Sequence, residues 1–204
     1  MPRNGRATRE KILDAAQALI LERGYVGVSI DGLIAHVGIT KGAFFYHFKS
    51  KNELAQALIA RFTEMDRTVM RDATARAERL SRDPLQQLLI FVGLFEEMFE
   101  GLSEPYPGCL FASYVYELQQ FDSGTQQIVF DSFIHWREHL TTWFDKIVEV
   151  HSPKLPIDTA SLADAFTVVL EGAFITAKAT NDADVIPQQL RHFRNYLELL
   201  FSDT

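Results

Sequence analysis

Few side chains in this sequence have the spacing that covalent chemistry needs. His135 and His139 stand four apart in HWREH, which puts both imidazoles on one helical face. Two imidazoles do not complete a zinc site, HWREH lacks the glutamate position of the zinc-protease pattern, and no second ligand pair is evident. The pair therefore reads as solvated or hydrogen-bonded, and no metal is expected. Cys109 follows Gly108 at the start of an expected helix. A helix N-terminus lowers a thiol's pKa and favours attack on oxidants or electrophiles, whereas the plainer reading is a small buried apolar residue. Glu117 in ASYVYELQQF and Glu171 in VVLEGAF sit in apolar surroundings. A carboxylate there needs a partner: a cationic ligand, or hydrogen bonds within the bundle or at a dimer seam. With no nucleophile elbow, P-loop or glycine-rich dinucleotide turn, no catalytic residue and no cofactor are assigned.

The spacing that does carry chemistry lies in residues 29–51, SIDGLIAHVGITKGAFFYHFKSK. Ser29 suits an N-cap, and Ile30, Leu33, Ile34 and Val37 recur at helical spacing. Gly38 stops that helix, because glycine enters the left-handed region at no steric cost. Only Ile39 intervenes before Thr40 can cap a second helix over residues 41–48. Two short helices across so tight a turn form a helix-turn-helix, whose second helix enters the DNA major groove. Thr40, Lys41, Gly42 and Ala43 offer a hydroxyl, a cation and two residues too small to block close approach. A helix N-terminus itself attracts phosphate. Phe44 and Phe48 would hold the helix on the core and turn Lys41, Ala43, Phe45, Tyr46 and His47 toward the partner. Lys49 and Lys51 could add phosphate contacts.

The run Gly38-Ile39-Thr40-Lys41-Gly42-Ala43-Phe44, followed by Tyr46-His47-Phe48-Lys49-Ser50-Lys51 and Leu54, resembles the signature of tetracycline-repressor (TetR/AcrR) family regulators. The resemblance covers roughly the first quarter of the chain and is far more specific than a lone helix-turn-helix. It implies a homodimer formed through the last two helices, a double-stranded DNA operator, and a small-molecule inducer bound in a cavity among helices 4 to 8. Walls for that cavity would come from Met65, Phe95, Phe99, Tyr114, Phe133, Trp136 and Phe174, with Glu117 and Cys109 as polar candidates. Some relatives sense reactive species through cysteine, a role Lys178 could assist. The sequence departs from the family at Phe45, where tyrosine is usual, so a phosphate hydrogen bond becomes an apolar contact. Asp31 and Gly32 likewise replace residues better suited to phosphate anchoring.

Charge supports the division into a reader and a control body. The 204 residues carry net −7, which taken whole argues against nucleic acid. Residues 1–51, however, hold eight Lys and Arg against four Asp and Glu, while residues 52–204 hold twelve against twenty-three. A basic head (1–51, helix-turn-helix) on an acidic body (52–204, ligand binding and dimerisation) suits a regulated DNA reader. One cysteine excludes an intramolecular disulfide and fits a reducing cytoplasm. The N-terminus lacks a signal peptide's apolar core, and no run approaches about 18 uninterrupted apolar residues, so no membrane association is expected.

Along the chain, residues 1–7 read as a flexible arm in which Arg3 and Arg6 could touch DNA. Helix 1 follows from Thr8 to a stop at Gly24. A capping box, Ser50 to Glu53, opens a long helix 4 with Leu54, Leu58, Phe62, Met65 and Val69 on one face, extending to about Glu78. Asp83-Pro84 opens helix 5, apolar over much of its circumference and so central. Helices 6 and 7 follow over about 109–121 and 124–150. Asp158 can cap helix 8, whose apolar core is Phe166 to Ala179, and Asp184 can cap helix 9, which carries Leu190, Phe193, Tyr196, Leu197, Leu200 and Phe201 at helical spacing. Nothing alternates with period two, so the fold expected is all-α: about nine helices, a three-helix head and a helical body. The function expected is a ligand-responsive regulator, a repressor released when effector binds. The rivals are an all-α enzyme using the aromatic cavity and an architectural DNA-binding protein without an effector.

Overall fold

The computed structural model describes residues 3–201, with side chains from residue 5 onward. Among these residues there are nine α-helices, one 3-10 turn and no strand, the all-α class expected. The helices are α1 Arg3–Gly27, α2 Ile30–Val37, α3 Lys41–His47, α4 Lys51–Leu80, α5 Pro84–Phe99, α6 Leu110–Val115, α7 Ser123–Val150, α8 Thr159–Thr180 and α9 Val185–Phe201; the 3-10 turn is Leu118–Gln120. Their starts obey the capping chemistry. Ser29 Oγ accepts the Gly32 N–H at 3.0 Å, Asp83 Oδ1 the Gln86 N–H at 2.8 Å and Asp158 Oδ1 the Ser161 N–H at 2.6 Å. Ser50 Oγ accepts the Glu53 N–H at 3.1 Å while Glu53 reaches back to the Lys49 N–H at 2.6 Å, a capping box displaced by one residue on its return bond.

Three features differ from expectation. Helix begins at Arg3, so residues 3–7 are the first turn of α1 and no arm; Met1, Pro2 and the Arg3 side chain lie outside the described residues. Gly24 kinks α1 without ending it, taking φ 76° and ψ 162° before one more turn to Gly27. The expected helix over 109–121 is split: α6 stops at Val115, and Glu117 leaves helical geometry at φ −126° and ψ 27°. The reason is visible at that residue, whose carboxylate accepts the Val26 N–H of α1 at 2.9 Å.

By its contacts the chain forms two compact units, Met1–Met65 with Pro107–Ser132 and Asp66–Tyr106 with Phe133–Thr204. In the first, Ile12, Leu13 and Ala16 of α1, Leu33 of α2, Phe44 and Phe48 around α3, and Leu58 and Ile59 of α4 build the core. Arg61 fastens α4 to α1, donating to Asp14 at 2.7 Å and Gln17 at 2.9 Å. Tyr114 stacks on Phe121 with centroids 4.2 Å apart, and Tyr25 packs against Phe121 at 4.5 Å.

In the second unit α5 is the central element, with Leu88, Phe91, Val92, Phe95 and Phe99 buried. Phe91, Phe95, Trp136 and Phe166 form an aromatic nest whose Trp136–Phe166 rings stack 5.6 Å apart. Glu96, only 5% exposed, is held between α9 cations: Arg191 Nε at 2.7 Å from one oxygen and Arg194 Nη1 at 3.1 Å from the other. A buried carboxylate is tolerable only with such partners. An 18-residue window of mean hydropathy 1.4 makes α8, among the described residues, the one helix long and apolar enough to cross a membrane, although no such helix was expected from uninterrupted apolar runs. A third of that window is buried in the unit, against α9 among others.

The apolar face of α4 also runs differently. Beyond Phe62 it continues through Asp66, Met70, Ala73 and Ala77, so Met65 is 46% exposed rather than internal. Asp66 Oδ2 accepts the Trp136 indole N–H at 2.9 Å, and burial pushes its carboxyl from 3.8 up to about 6, against that hydrogen bond and the Arg67 charge. The folded state thus holds this proton more tightly than the unfolded chain. Between about pH 4 and 6 it binds more protons, so this group's contribution to stability falls as pH rises through that window. Asp66→Asn keeps an acceptor for Trp136 and removes the charge. It should stabilise the protein at pH 7.5 by on the order of 1–3 kcal/mol and flatten the decline between about pH 4 and 6, read from urea midpoints. Identical pH profiles for the two proteins would refute this.

Candidate nucleic-acid interface

α2, the turn and α3 are joined as the spacing predicts. Gly38 takes φ 73° and ends α2, and the N–H groups of Gly38 and Ile39 both donate to Ile34 O, at 3.1 and 3.2 Å. Thr40 Oγ1 then caps α3 by accepting the Ala43 N–H at 3.1 Å. Phe44 and Phe48, at 0% and 1% exposure, root this seven-residue helix in the core. Its other face is open. Lys41, Gly42, Tyr46 and Lys49 are exposed, Tyr46 to 75%, while Ala43, Phe45 and His47 are half-buried. Phe45 leans edge-on against Phe44 at 5.3 Å, and the Tyr46 and His47 rings meet edge-on at 4.9 Å.

The cations of this face are not equivalent. Lys41 Nζ pairs with Asp31 at 3.0 Å, both side chains well exposed. Such a pair is worth about 0–1 kcal/mol, so a phosphate can displace it. Asp31, expected to weaken phosphate anchoring in α2, holds Lys41 at the start of α3. Lys49 Nζ donates to Phe45 O at 2.9 Å, closing the other end. Lys51 is turned inward: its Nζ donates to Tyr25 O and sits 4.0 Å above the Tyr25 ring. Burial lowers its pKa and the Glu117 charge opposes that. Its expected outward phosphate contact is therefore not presented.

The expected ligand residues divide between the units. Met65, Cys109, Tyr114 and Glu117 belong to the first; Phe95, Phe99, Phe133, Trp136 and Phe174 to the second. Tyr114 is fully buried, donates to Ala55 O at 3.3 Å, and burial pushes its hydroxyl pKa upward. Cys109 is the partly buried N-cap residue of α6 and is not disulfide-bonded. Phe95 meets Trp136 at 5.7 Å, and Phe99 meets Phe174 at 5.4 Å with Tyr106 against both. Phe133 and Glu171 instead line a groove of about 360 Å³ between α7 and α8, rimmed by Arg137 in a double 2.7 Å contact with Asp164. His139 is bonded to Thr74 at 3.0 Å, and its burial, with the nearby His135 charge, lowers its pKa. Asp66 was missed, although an acid at i+4 from Phe62 and i−4 from Met70 is a legible signal.

Residues 12–58, which span the head, match the profile of bacterial regulatory proteins of the tetR family. An uncharacterised helix-turn-helix regulator in the lacX 3' region of Lactococcus lactis subsp. lactis is 28% identical over 195 residues, covering 90% of this chain and 89% of that protein. The repressor DhaR of Mycobacterium sp. (strain GP1) is 24% identical, covering 89% of this chain and 88% of its own. A TetR-family regulator from Agrobacterium tumefaciens shares the fold with a TM-score of 0.78 at 23% identity, covering 97% and 100% of the two chains. The head is a TetR-family DNA-binding domain. Both curated relatives are described as transcriptional regulators, which counts against the rival reading of a catalytic aromatic cavity.

For a TetR-family head with this geometry, Lys41→Ala and Tyr46→Ala should each weaken binding to a DNA duplex selected by the wild-type protein from a random-sequence library. The expected losses are about three- to thirtyfold by fluorescence anisotropy, with unchanged thermal unfolding, and the Lys41 variant should also show a shallower salt dependence. Unaltered binding by both would show that DNA is read elsewhere.

Proposed function

We propose that this regulator is a homodimeric repressor that leaves a palindromic operator when a small molecule binds its helical body. On this reading residues 1–51 read DNA through Thr40 to His47, and residues 52–204 bind the effector and dimerise. The carrying observation is the exposed, capped face of α3 rooted by two buried phenylalanines on a chain whose basic residues concentrate at that end. Repression is the activity named for the mycobacterial relative DhaR.

Dimerisation through α8 and α9 is supported by what those helices leave uncovered. Val168 and Ile175 of α8 are 68% and 55% exposed, and Leu199 and Tyr196 of α9 are 69% and 44% exposed. Gly172, between the two α8 residues, has open space where a Cβ would stand, so another backbone could approach closely. A second copy covering this face also accounts for the apolar composition of α8 without a membrane. Two copies would set two α3 helices on half-sites about 34–36 Å apart or a multiple of that.

The effector reading is supported by the aromatic groups around Phe95, Trp136 and Phe166 and around Phe99, Tyr106 and Phe174, with Asp66 as a half-buried polar group beside the first. An effector acts only if it binds the DNA-free conformation more tightly than the DNA-bound one. The double variant Val168→Arg/Ile175→Arg should be monomeric by light scattering and bind a two-half-site duplex at least about a hundredfold more weakly than wild type. A wild-type protein already monomeric at micromolar concentration, or a variant still dimeric, would sink the proposed interface.

A further inference from the structure

Both oxygens of Glu117 are used against one short stretch of α1. Oε2 accepts the Val26 N–H at 2.9 Å, and a Cβ on Gly24 would collide with Oε1. Gly24 stands at φ 76°, where glycine alone is at ease, so the kink and the space for the carboxylate come from the same missing side chain. The turn that follows carries Tyr25, and Tyr25 reaches the start of α4 twice. Its hydroxyl donates to Asn52 Oδ1 at 3.0 Å, and its carbonyl accepts from Lys51 Nζ. α3 ends at His47, four residues before α4 begins at Lys51. A further bond joins α4 to the segment after the 3-10 turn, Gln56 Nε2 donating to Asp122 at 2.9 Å.

We propose that Glu117 is a positioning residue for DNA binding: it holds the kinked end of α1 and, through Tyr25 and Lys51, the α3–α4 corner that aims the recognition helix. A carboxylate suits the task for two reasons. It accepts the peptide N–H more strongly than a neutral oxygen would, and its charge favours the partly buried Lys51 ammonium. Because Glu117 lies in the junction between α6 and the 3-10 turn, a rearrangement there would reach the head without any change in the residues that face DNA. The proposal rests on α3 being the DNA-reading helix.

The test uses the full chain and a duplex selected by the wild-type protein from a random-sequence library. Glu117→Ala should weaken binding about tenfold or more, while Glu117→Gln, which keeps an acceptor for Val26, should stay within about threefold. Thermal unfolding of the Ala variant should remain within about 3 °C of wild type. By hydrogen exchange, the Val26 N–H should be protected in wild type and in Glu117→Gln, and exposed in Glu117→Ala. Wild-type affinity in Glu117→Ala overturns the proposal. So does a wild-type Val26 N–H exchanging like a free amide, a measurement that needs no variant to fold. A loss of affinity accompanied by general unfolding also overturns it, since Glu117 would then be only a stabilising residue. Lys41→Ala and Tyr46→Ala separate the underlying assumption: full binding by both removes α3 as the reader, whereas their weakening beside an unaffected Glu117→Ala removes only the positioning role.

Discussion

The head depends on burying Phe44 and Phe48 from a helix too short to exist alone. Isolated helices below about 12–15 residues are marginal in water, and α3 has seven residues with an exposed glycine in its first turn. Its stability is therefore borrowed from tertiary contact, and two rings four residues apart supply it from one face. Everything the other face offers to DNA follows from that constraint. The Thr40 cap and the left-handed Gly38 make the chain change direction over two residues, and Asp31 and Phe45 O hold the lysines at either end. A surface free to meet a partner exists here because the opposite surface is fully committed.

Much of this was legible because it is local. Caps, glycine stops and i, i+4 spacing act within a few residues, so the helix-turn-helix, the Asp83-Pro84 start and the central α5 can be read from composition and order. What could not be read is set by residues distant in sequence. Nothing near Glu117 signals that its carboxylate will be drawn out of α6 by a peptide N–H 91 residues away. Nor does Lys51 signal that a ring and a carbonyl at Tyr25 will claim its ammonium before a phosphate can. The register of α4 failed for a related reason. The apolar count alone favours Met65 and Val69, but the face that packs follows Phe62, Asp66 and Met70, because the Trp136 indole makes an acid acceptable there.

Three acids of the described residues illustrate how a mostly apolar protein accommodates charge. Glu96 is nearly inaccessible and is flanked by two arginines of α9, which pair with it directly. Asp66 has one neutral donor, and burial retains its proton to higher pH against that bond. Glu117 caps a broken helix. The first fixes one helix against another, the second leaves a group that responds to conditions, and the third joins two segments through a single residue. Only arrangements of the second and third kind can be altered at small cost, because removing a partner from Glu96 would strand a buried charge.

α4 brings these features together within each unit. In the first unit Lys51 and Arg61 bond to α1; in the second Asp66 and Thr74 bond to α7. Apolar contacts between helices tolerate small sliding, since one methyl replaces another at little cost, whereas a hydrogen bond is lost within a fraction of an ångström. Directional bonds at both ends therefore define the axial register of α4 against its neighbours. An uninterrupted 30-residue helix with no proline or glycine has no interior point at which to absorb a shift. Within the first unit, the Tyr25 turn, with Glu117 on one side and Lys51 on the other, is the place where a change of α4 register against α1 would be felt by α3.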